Sequence, residues 1–438
     1  MAEYKNKKVT VIGLGKTGLS CVDFLLKKQA DVRVIDTREN PAGAEKLSPN
    51  IPLHKGGLNQ DWLNASDMIV ISPGLAVKTP EIQTALSVGV EVIGDIELFC
   101  REANEQGKPV VAITGSNGKS TVTALVTEMA KAGGLRVGMG GNIGIPALSL
   151  LETECDLYVL ELSSFQLETT FSLKAAAATV LNVTEDHMNR YADLEDYRQA
   201  KLKIYLNAET AVINAEDSLT KEDNKQSAKR QLSFGENHAD YWLKTENGRQ
   251  YLMARQEVIL PCSEVKISGR HNYMNALASI ALAQSVGVKT HGILTALRTF
   301  SGLDHRFQLA HFADGVRWVN DSKATNVGST VAALTGLHLE GNLHLLLGGD
   351  GKGADFSELE KLINKPGIFC YCFGRDGVTL AKLSNQSRLF ETMEQAVNAV
   401  RPALKPGDMV LLSPACASLD QFASFEKRGE EFTRLAKL

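Results

Sequence analysis

Three α/β domains in series are the architecture this sequence predicts, and three observations predict it. A short β-branched run, Val110 to Ile113, leads into the glycine-rich loop Gly115-Ser116-Asn117-Gly118 and then into a helical pattern, Ser120 to Lys131. Near the N-terminus, Gly13, Gly15 and Gly18 form G-x-G-x-x-G directly after a second strand-like run, Lys8 to Ile12. Beyond Ser301-Gly302, apolar strand-like runs alternate with helical spacing once more. The expected domains are an N-terminal Rossmann-like domain over 1–95, a central P-loop ATPase-like α/β domain with a small β element over 96–301, and a C-terminal Rossmann-like domain over 302–438.

Composition narrows the functional classes. The chain has 438 residues, 44% of them hydrophobic, which is enough for several cores. A net charge of −4 argues against a nucleic-acid or anionic-membrane surface and favours small ligands. The cysteines at 21, 100, 155, 262, 370, 372 and 416 are odd in number, lack C-x-x-C spacing and read as free thiols of a reducing cytosol. Lys5, Lys7 and Lys8 precede VTVIGLG, but glycines break that run and no A-x-A site follows, so no secretory leader is expected. No stretch has the length of apolar sequence that spans a bilayer. The expectation is a monomeric cytoplasmic protein with no nucleic-acid partner and no membrane span.

In the first domain, a helix over Leu19 to Lys28 should follow the glycines, and the strand Val32 to Ile35 ends in Asp36. Glycines at a strand-to-helix turn let backbone approach a pyrophosphate, and an acid ending the second strand commonly meets a ribose. Met68 to Ile71 is a further strand, with Ser72-Pro73-Gly74 at its C-terminal end. The domain is too short for two mononucleotide halves, so a single nucleotide diphosphate is as consistent as NAD. Gly94-Asp95 and the helix Ile96 to Asn104 lead into the central domain.

There the loop Gly115 to Gly118 is shorter than the general P-loop, because Ile113 stands where that pattern has its first glycine. Strand, loop and helix nonetheless fall in the order that cradles phosphate, with Lys119 reaching the β/γ-phosphates and Ser120 contacting Mg²⁺. Asp156 to Leu160 delivers Glu161 and Ser163, and Ala178 to Val183 delivers Thr184, Glu185, Asp186 and His187. Carboxylate and imidazole on neighbouring strand ends can hold a metal, although Glu161 also reads as a helix cap, His187 as a structural histidine and Asn142 as a turn residue. Residues 205 to 265 differ in texture. Lys221 to Arg230 is a charged loop or exposed helix, and Asn247-Gly248 between alternating runs marks a hairpin. Gly269 to Asn275 opens a helix over Ala276 to Val286, and another helix leads to Phe300.

In the last domain, the strands Val316 to Asn320, His344 to Leu347, Phe369 to Phe373 and Met409 to Leu412 carry polar loops at their ends. Lys352, in Gly348-Gly349-Asp350-Gly351-Lys352-Gly353, is open to two readings, an anion site or a solvated loop lysine.

Taken together, TGSNGKST, DLYVLELSSFQLE, LNVTEDHM, GRHNYMNALA, LDHRF, NDSKATN, LLLGGDGKGADF and SPACASLDQF resemble, in this order and across essentially the whole chain, the motifs of the Mur ligases. The resemblance is strongest to the D-glutamate-adding branch. It implies an ATP-dependent amide ligase that joins D-glutamate to UDP-N-acetylmuramoyl-L-alanine through an acyl phosphate, in bacterial peptidoglycan synthesis. By matching motif it implies that Gly115, Ser116, Asn117, Gly118, Lys119, Ser120, Thr121, Asn275, Arg306, Asp321 and Lys323 bind ATP. Gly15, Lys16, Thr17, Asp36, Thr37, Arg38, Gly74, Asn142, Ser163 and His187 would bind the UDP-substrate. Thr325, Lys352, Ser418, Leu419 and Phe425 would bind D-glutamate. Mg²⁺ would sit on Ser120, Glu161, His187 and Lys201, the last as a carbamate; Lys119, Glu161, His187 and Lys201 would be the catalytic set. Lys16 departs from the apolar residue expected there. Without the resemblance, Lys201 reads as a solvated lysine on a charged helix, and Lys203 faces another way. A folylpolyglutamate synthetase-like ligase is the alternative within the class. An NAD-dependent dehydrogenase and a P-loop switch are rivals from outside it, and a dehydrogenase has no use for Lys119-Ser120.

Overall fold

A computed structural model of the chain describes residues 4–41, 43–188, 190–222, 228–267, 269–335, 337 and 339–438. Of the charged stretch Lys221 to Arg230, residues 223–227 lie outside the described residues. The architecture is that of a three-domain α/β protein with one mostly parallel sheet per domain. Contacts divide the chain into two compact units, Met1–Val265 with Met274–Phe300, and Lys266–Tyr273 with Ser301–Leu438.

The first unit holds two sheets. One has five parallel strands in the order Leu53–Lys55, Asp31–Asp36, Lys8–Ile12, Met68–Ile71 and Glu91–Ile93. Its strands are nearly continuous Val, Ile and Met because helices cover both faces. The helix after the glycines spans Lys16–Lys27, starting earlier than Leu19. Gly18 lies inside its first turn, where an added Cβ would stand 1.8 Å from the Gly13 carbonyl oxygen, so only glycine fits there. Gly15, by contrast, has open space around it.

The second sheet has nine strands, with Val110–Thr114 between Leu157–Glu161 and Ala177–Val180. Its far edge, Tyr241–Glu246, Arg249–Ala254 and Glu257–Pro261, is an antiparallel meander joined to the parallel part by Arg230–Gly235. Asn247 and Gly248, both at positive φ, make the predicted hairpin turn. The strand expected to reach Val183 stops at Val180, since Leu181 to Thr184 leave the ladder to brace the glycine-rich loop. The helix Arg270–Ser285 begins ahead of Ala276, its polar first turns coming from the GRHNYMN segment. Its later turns, Ala276 to Ala283, are buried on all sides.

In the second unit a six-stranded sheet runs Gln308–Ala313, Val316–Asn320, Met409–Leu412, Leu343–Gly348, Ile368–Phe373 and Ser387–Leu389. It is parallel except for the edge pair Gln308–Ala313 with Val316–Asn320. Among the described residues no helix is long and apolar enough to cross a membrane, and all seven cysteines are buried free thiols.

Candidate active site

The helix Lys119–Ala132 begins at Gly118, whose φ of +83° places it in the left-handed region open to glycine. A Cβ at Gly118 would meet the Asn275 side-chain oxygen at 2.6 Å, so Asn275 lines the same loop. The loop is braced from the side. The Ser116 and Asn117 N–H groups donate to the Asn182 carbonyl and Oδ1 at 2.9 and 2.7 Å. Ser116 Oγ receives the Thr184 N–H at 2.9 Å and lies 3.3 Å from the Tyr197 hydroxyl. Asn182 lies in the LNVTEDHM motif, but nothing in its spacing assigns it to the loop.

Two amines converge on this loop. Lys119 Nζ donates to the carbonyls of Gly115 and Ser116 at 2.8 and 3.0 Å, and Lys201 Nζ donates to Gly115 at 3.0 Å. Lys201 is the reverse of a solvated lysine: it is 1% exposed, and its amine stands 4.4 Å over the Tyr197 ring. Burial, reinforced by the Lys119 cation, holds its pKa well below the ordinary lysine range, against the pull of Asp186 and Glu161. The sequence around it, LEDYRQAKL, is so charged that the helix pattern pointed outward. Lys203 is half-buried and donates to the Glu168 carbonyl at 3.1 Å.

Glu161, at the end of Leu157–Glu161, is 3% exposed; its Oε1 accepts from Asn142 Nδ2 at 2.7 Å, while its Oε2 is buried with no partner. A carboxylate oxygen left so is out of balance unless a cation meets it, so these residues fit a divalent metal. Among the described residues no three His, Cys, Asp or Glu side chains gather around one point, so any metal here also needs ligands of other kinds. His187, at φ +60°, packs edge-on against Phe165 with ring centres 4.8 Å apart. Ser163 caps the helix Ser164–Glu168 through a capping box with Gln166.

The glycine loop of the first domain lies at the C-terminal end of its sheet, with Lys16 exposed on the first helical turn. Asp36 is 2% exposed, and both its carboxylate oxygens are taken. They accept from the Leu14 N–H at 2.7 Å, the Arg38 N–H at 2.9 Å and the Arg38 guanidinium at 2.9 and 2.7 Å. The bonds to Arg38 hold its pKa at about 2. Thr37 and Gly74 are exposed beyond the ends of Asp31–Asp36 and Met68–Ile71, the two strands that flank Lys8–Ile12.

In the second unit, Asp321 ends its strand with Oδ1 accepting from the Phe307 N–H at 3.1 Å and Oδ2 from Ser413 Oγ at 2.8 Å. Enclosure in protein pushes its carboxyl up to about 7. Lys323 Nζ sits 3.9 Å over the Phe425 ring. Arg306 lies between His305 and Phe307, both at positive φ. Asp350 and Ala417 exchange backbone bonds at 2.9 and 2.8 Å, which brings the Lys352 loop beside Ser418 and Leu419, and Thr325 follows Lys323 in its turn. Arg428, missed in the sequence because it sits on an ordinary amphipathic helix, is fully buried. It donates to Ser322 Oγ and O, Cys416 O and Gly348 O, tying three strand ends together.

Family models match three consecutive stretches: the MurD-like Mur ligase N-terminal domain over 7–94, the Mur ligase middle domain over 113–283, and the Mur ligase glutamate ligase domain over 305–416. The chain belongs to the Mur ligase family. A UDP-N-acetylmuramoylalanine--D-glutamate ligase of Mannheimia succiniciproducens is 80% identical over 438 residues, covering 100% of this chain and 99% of that protein. The ligase of the same name from Pasteurella multocida is 76% identical over 435 residues, covering 99% of each. In fold, this Mur ligase resembles the MurF ligase of Thermotoga maritima, solved with ADP, at a TM-score of 0.64 and 19% identity over 99% of this chain and 96% of that one.

Proposed function

We propose that this Mur ligase is an ATP-dependent amide ligase that adds D-glutamate to UDP-N-acetylmuramoyl-L-alanine in peptidoglycan synthesis. The observation that carries the reading is the match, at 80% identity and over 100% of this chain and 99% of that protein, to a relative of that name. A folylpolyglutamate synthetase-like activity is not favoured, because the UDP-side domain matches as well as the other two.

The reaction makes a poor electrophile reactive. ATP, when bound, supplies the phosphoryl group: an oxygen of the L-alanine carboxylate attacks the γ-phosphorus, ADP leaves, and the acyl phosphate is then attacked by the D-glutamate amine as phosphate departs. Lys119 and the N–H groups of the first turn after Gly118 would neutralise and orient the phosphates. Ser120, Glu161, His187 and Lys201 would hold Mg²⁺, which supplies further charge neutralisation at the transferring group. Lys201 is buried with its pKa depressed, which favours the free amine that adds CO₂, and the carbamate so formed would turn a hidden cation into an anion. Asn275, Arg306, Asp321 and Lys323 would complete the ATP contacts. The open Gly15, with Lys16, Thr17, Thr37, Arg38 and Gly74, would take the UDP group, and Asn142, Ser163 and His187 the muramoyl-alanine end. Thr325, Lys352, Ser418, Leu419 and Phe425 would take D-glutamate, whose two carboxylates call for a cation and hydroxyl donors. Buried free thiols agree with a cytoplasmic setting.

The test is phosphate release from ATP with the UDP-substrate and D-glutamate supplied singly and together. Release is expected only with both, and Lys119→Ala should lower it on the order of a hundredfold or more, as loss of one transition-state charge contact does. Equal release with a folate in place of the UDP-substrate would reverse the assignment.

A further inference from the structure

One side chain joins the UDP-side domain to the central domain next to the candidate site. The Arg190 guanidinium donates to the carbonyls of Pro73 and Leu75 at 3.3 and 3.2 Å, which flank Gly74 at the ligand end of the first sheet. The same group donates to Glu168 Oε2 at 2.8 Å, and its carbon stands 4.6 Å from the Phe165 ring centre, on the central domain. Arg190 and Glu168 side chains are only 13% and 18% exposed, so the pair is shielded from solvent screening. Glu168 is fixed in turn by the Tyr191 hydroxyl at 2.8 Å. The Arg190 N–H closes a turn onto the His187 carbonyl at 2.8 Å, and Phe165, beneath the guanidinium, is the ring that packs against His187. All of these residues belong to one compact unit.

We propose that Arg190 is a positioning residue that sets the loop 73–75 against His187, so that a substrate held by the first domain presents its carboxylate in the central domain. The inference rests on the function proposed above. The guanidinium suits the task because its planar fork can hold two carbonyls and a carboxylate at fixed angles, which an ammonium cannot do. UDP itself would be held mainly by Gly15, Lys16, Thr17, Thr37 and Arg38, which Arg190 does not touch, with only Gly74 on the positioned loop. The remainder of the substrate, which must reach the other domain, needs the alignment. An error of an ångström in that reach is enough to slow the chemistry strongly.

The experiment compares wild-type enzyme with Arg190→Gln and Arg190→Lys. For Arg190→Gln the expected result is a KM for UDP-N-acetylmuramoyl-L-alanine raised about tenfold or more and a lower kcat, with the KM for ATP within about twofold. UDP binding by calorimetry should weaken by a smaller factor than binding of the whole UDP-substrate, because only Gly74 of the UDP contacts sits on the loop that Arg190 holds. Arg190→Lys should fall between, since it keeps the charge opposite Glu168 and loses the fork; if Arg190→Gln does not fold, the same KM split in Arg190→Lys decides. A folded variant with unchanged KM for the UDP-substrate overturns the proposal. So does a rise in the KM for ATP as large as that for the UDP-substrate, which marks a role in stability alone. Absence of substrate-dependent phosphate release from wild type would overturn the ligase reading itself, a result distinct from either.

Discussion

Lys119 and Lys201 share one acceptor, the Gly115 carbonyl, at 2.8 and 3.0 Å. Two ammonium groups so close repel, and the buried one yields its proton more readily. Burial and the Lys119 cation thus both move Lys201 towards the free amine, the form that the proposed carbamylation would need. Lys201→Ala should be nearly inactive and partly rescued by acetate, a small carboxylate able to enter the space left. Lys203→Ala loses only its bond to the Glu168 carbonyl and should keep most activity. Full turnover of Lys201→Ala at low bicarbonate and low Mg²⁺ would dispose of the carbamate.

The unpartnered Glu161 Oε2 makes a separate prediction about metal demand. Glu161→Gln keeps the shape and an oxygen for Asn142 but removes the charge. The Mg²⁺ concentration for half-maximal activity should rise about tenfold or more, because one charged ligand of a hard cation is gone. The fold should tolerate the change or gain from it, since an isolated buried charge is removed. A Mg²⁺ titration that superimposes on that of wild type would remove Glu161 from the metal.

Much of this site was legible because its parts are local. Strand, glycine loop and helix at Val110 to Ala132 declare themselves by period and composition, and Asn247-Gly248 allows little but a tight hairpin turn. What the residue pattern by itself does not register depends largely on partners distant in the chain, even where, as at Lys201, the resemblance marks the residue. Lys201 is buried because Gly115 and Tyr197 enclose it, Arg428 because three strand ends need a donor, and Arg190 because a loop of another domain meets it. Hydrophobic periodicity cannot register a buried cation. It also missed the edge strand Gln308–Ala313, whose faces alternate too weakly in burial to leave a pattern.

The occupancy of Asp36 favours UDP over NAD as the proposed ligand of the first domain. An acid at the end of the second strand serves NAD by accepting from the ribose hydroxyls, but here both oxygens already hold Leu14 and Arg38. The whole enzyme should bind UDP by calorimetry and show no heat with NAD. Arg38→Ala should weaken UDP-substrate binding and partly free Asp36. Micromolar NAD binding without UDP binding would turn the choice round.

Asp321 gives the chain a pH dependence whose sign can be worked out. Its carboxyl titrates near 7 in the folded protein against an ordinary value of 3.8. Between those values the native state holds a proton that the unfolded chain has released, so stability falls as pH rises through that window. Below it both states are protonated, and above it both are ionised, so the effect is flat at either end. Asp95, pushed up to about 6 by burial, contributes with the same sign, so the wild-type curve alone does not isolate Asp321. The comparison that does is wild type against Asp321→Asn. The variant never ionises at this position, yet it keeps an oxygen for Ser413 or for the Phe307 N–H. Its Tm should equal or trail that of wild type at about pH 4.5 and gain on it steadily towards about pH 7.5. Parallel Tm curves for the two proteins across that range would mean that Asp321 is ionised throughout, held so by Arg306 and Arg428.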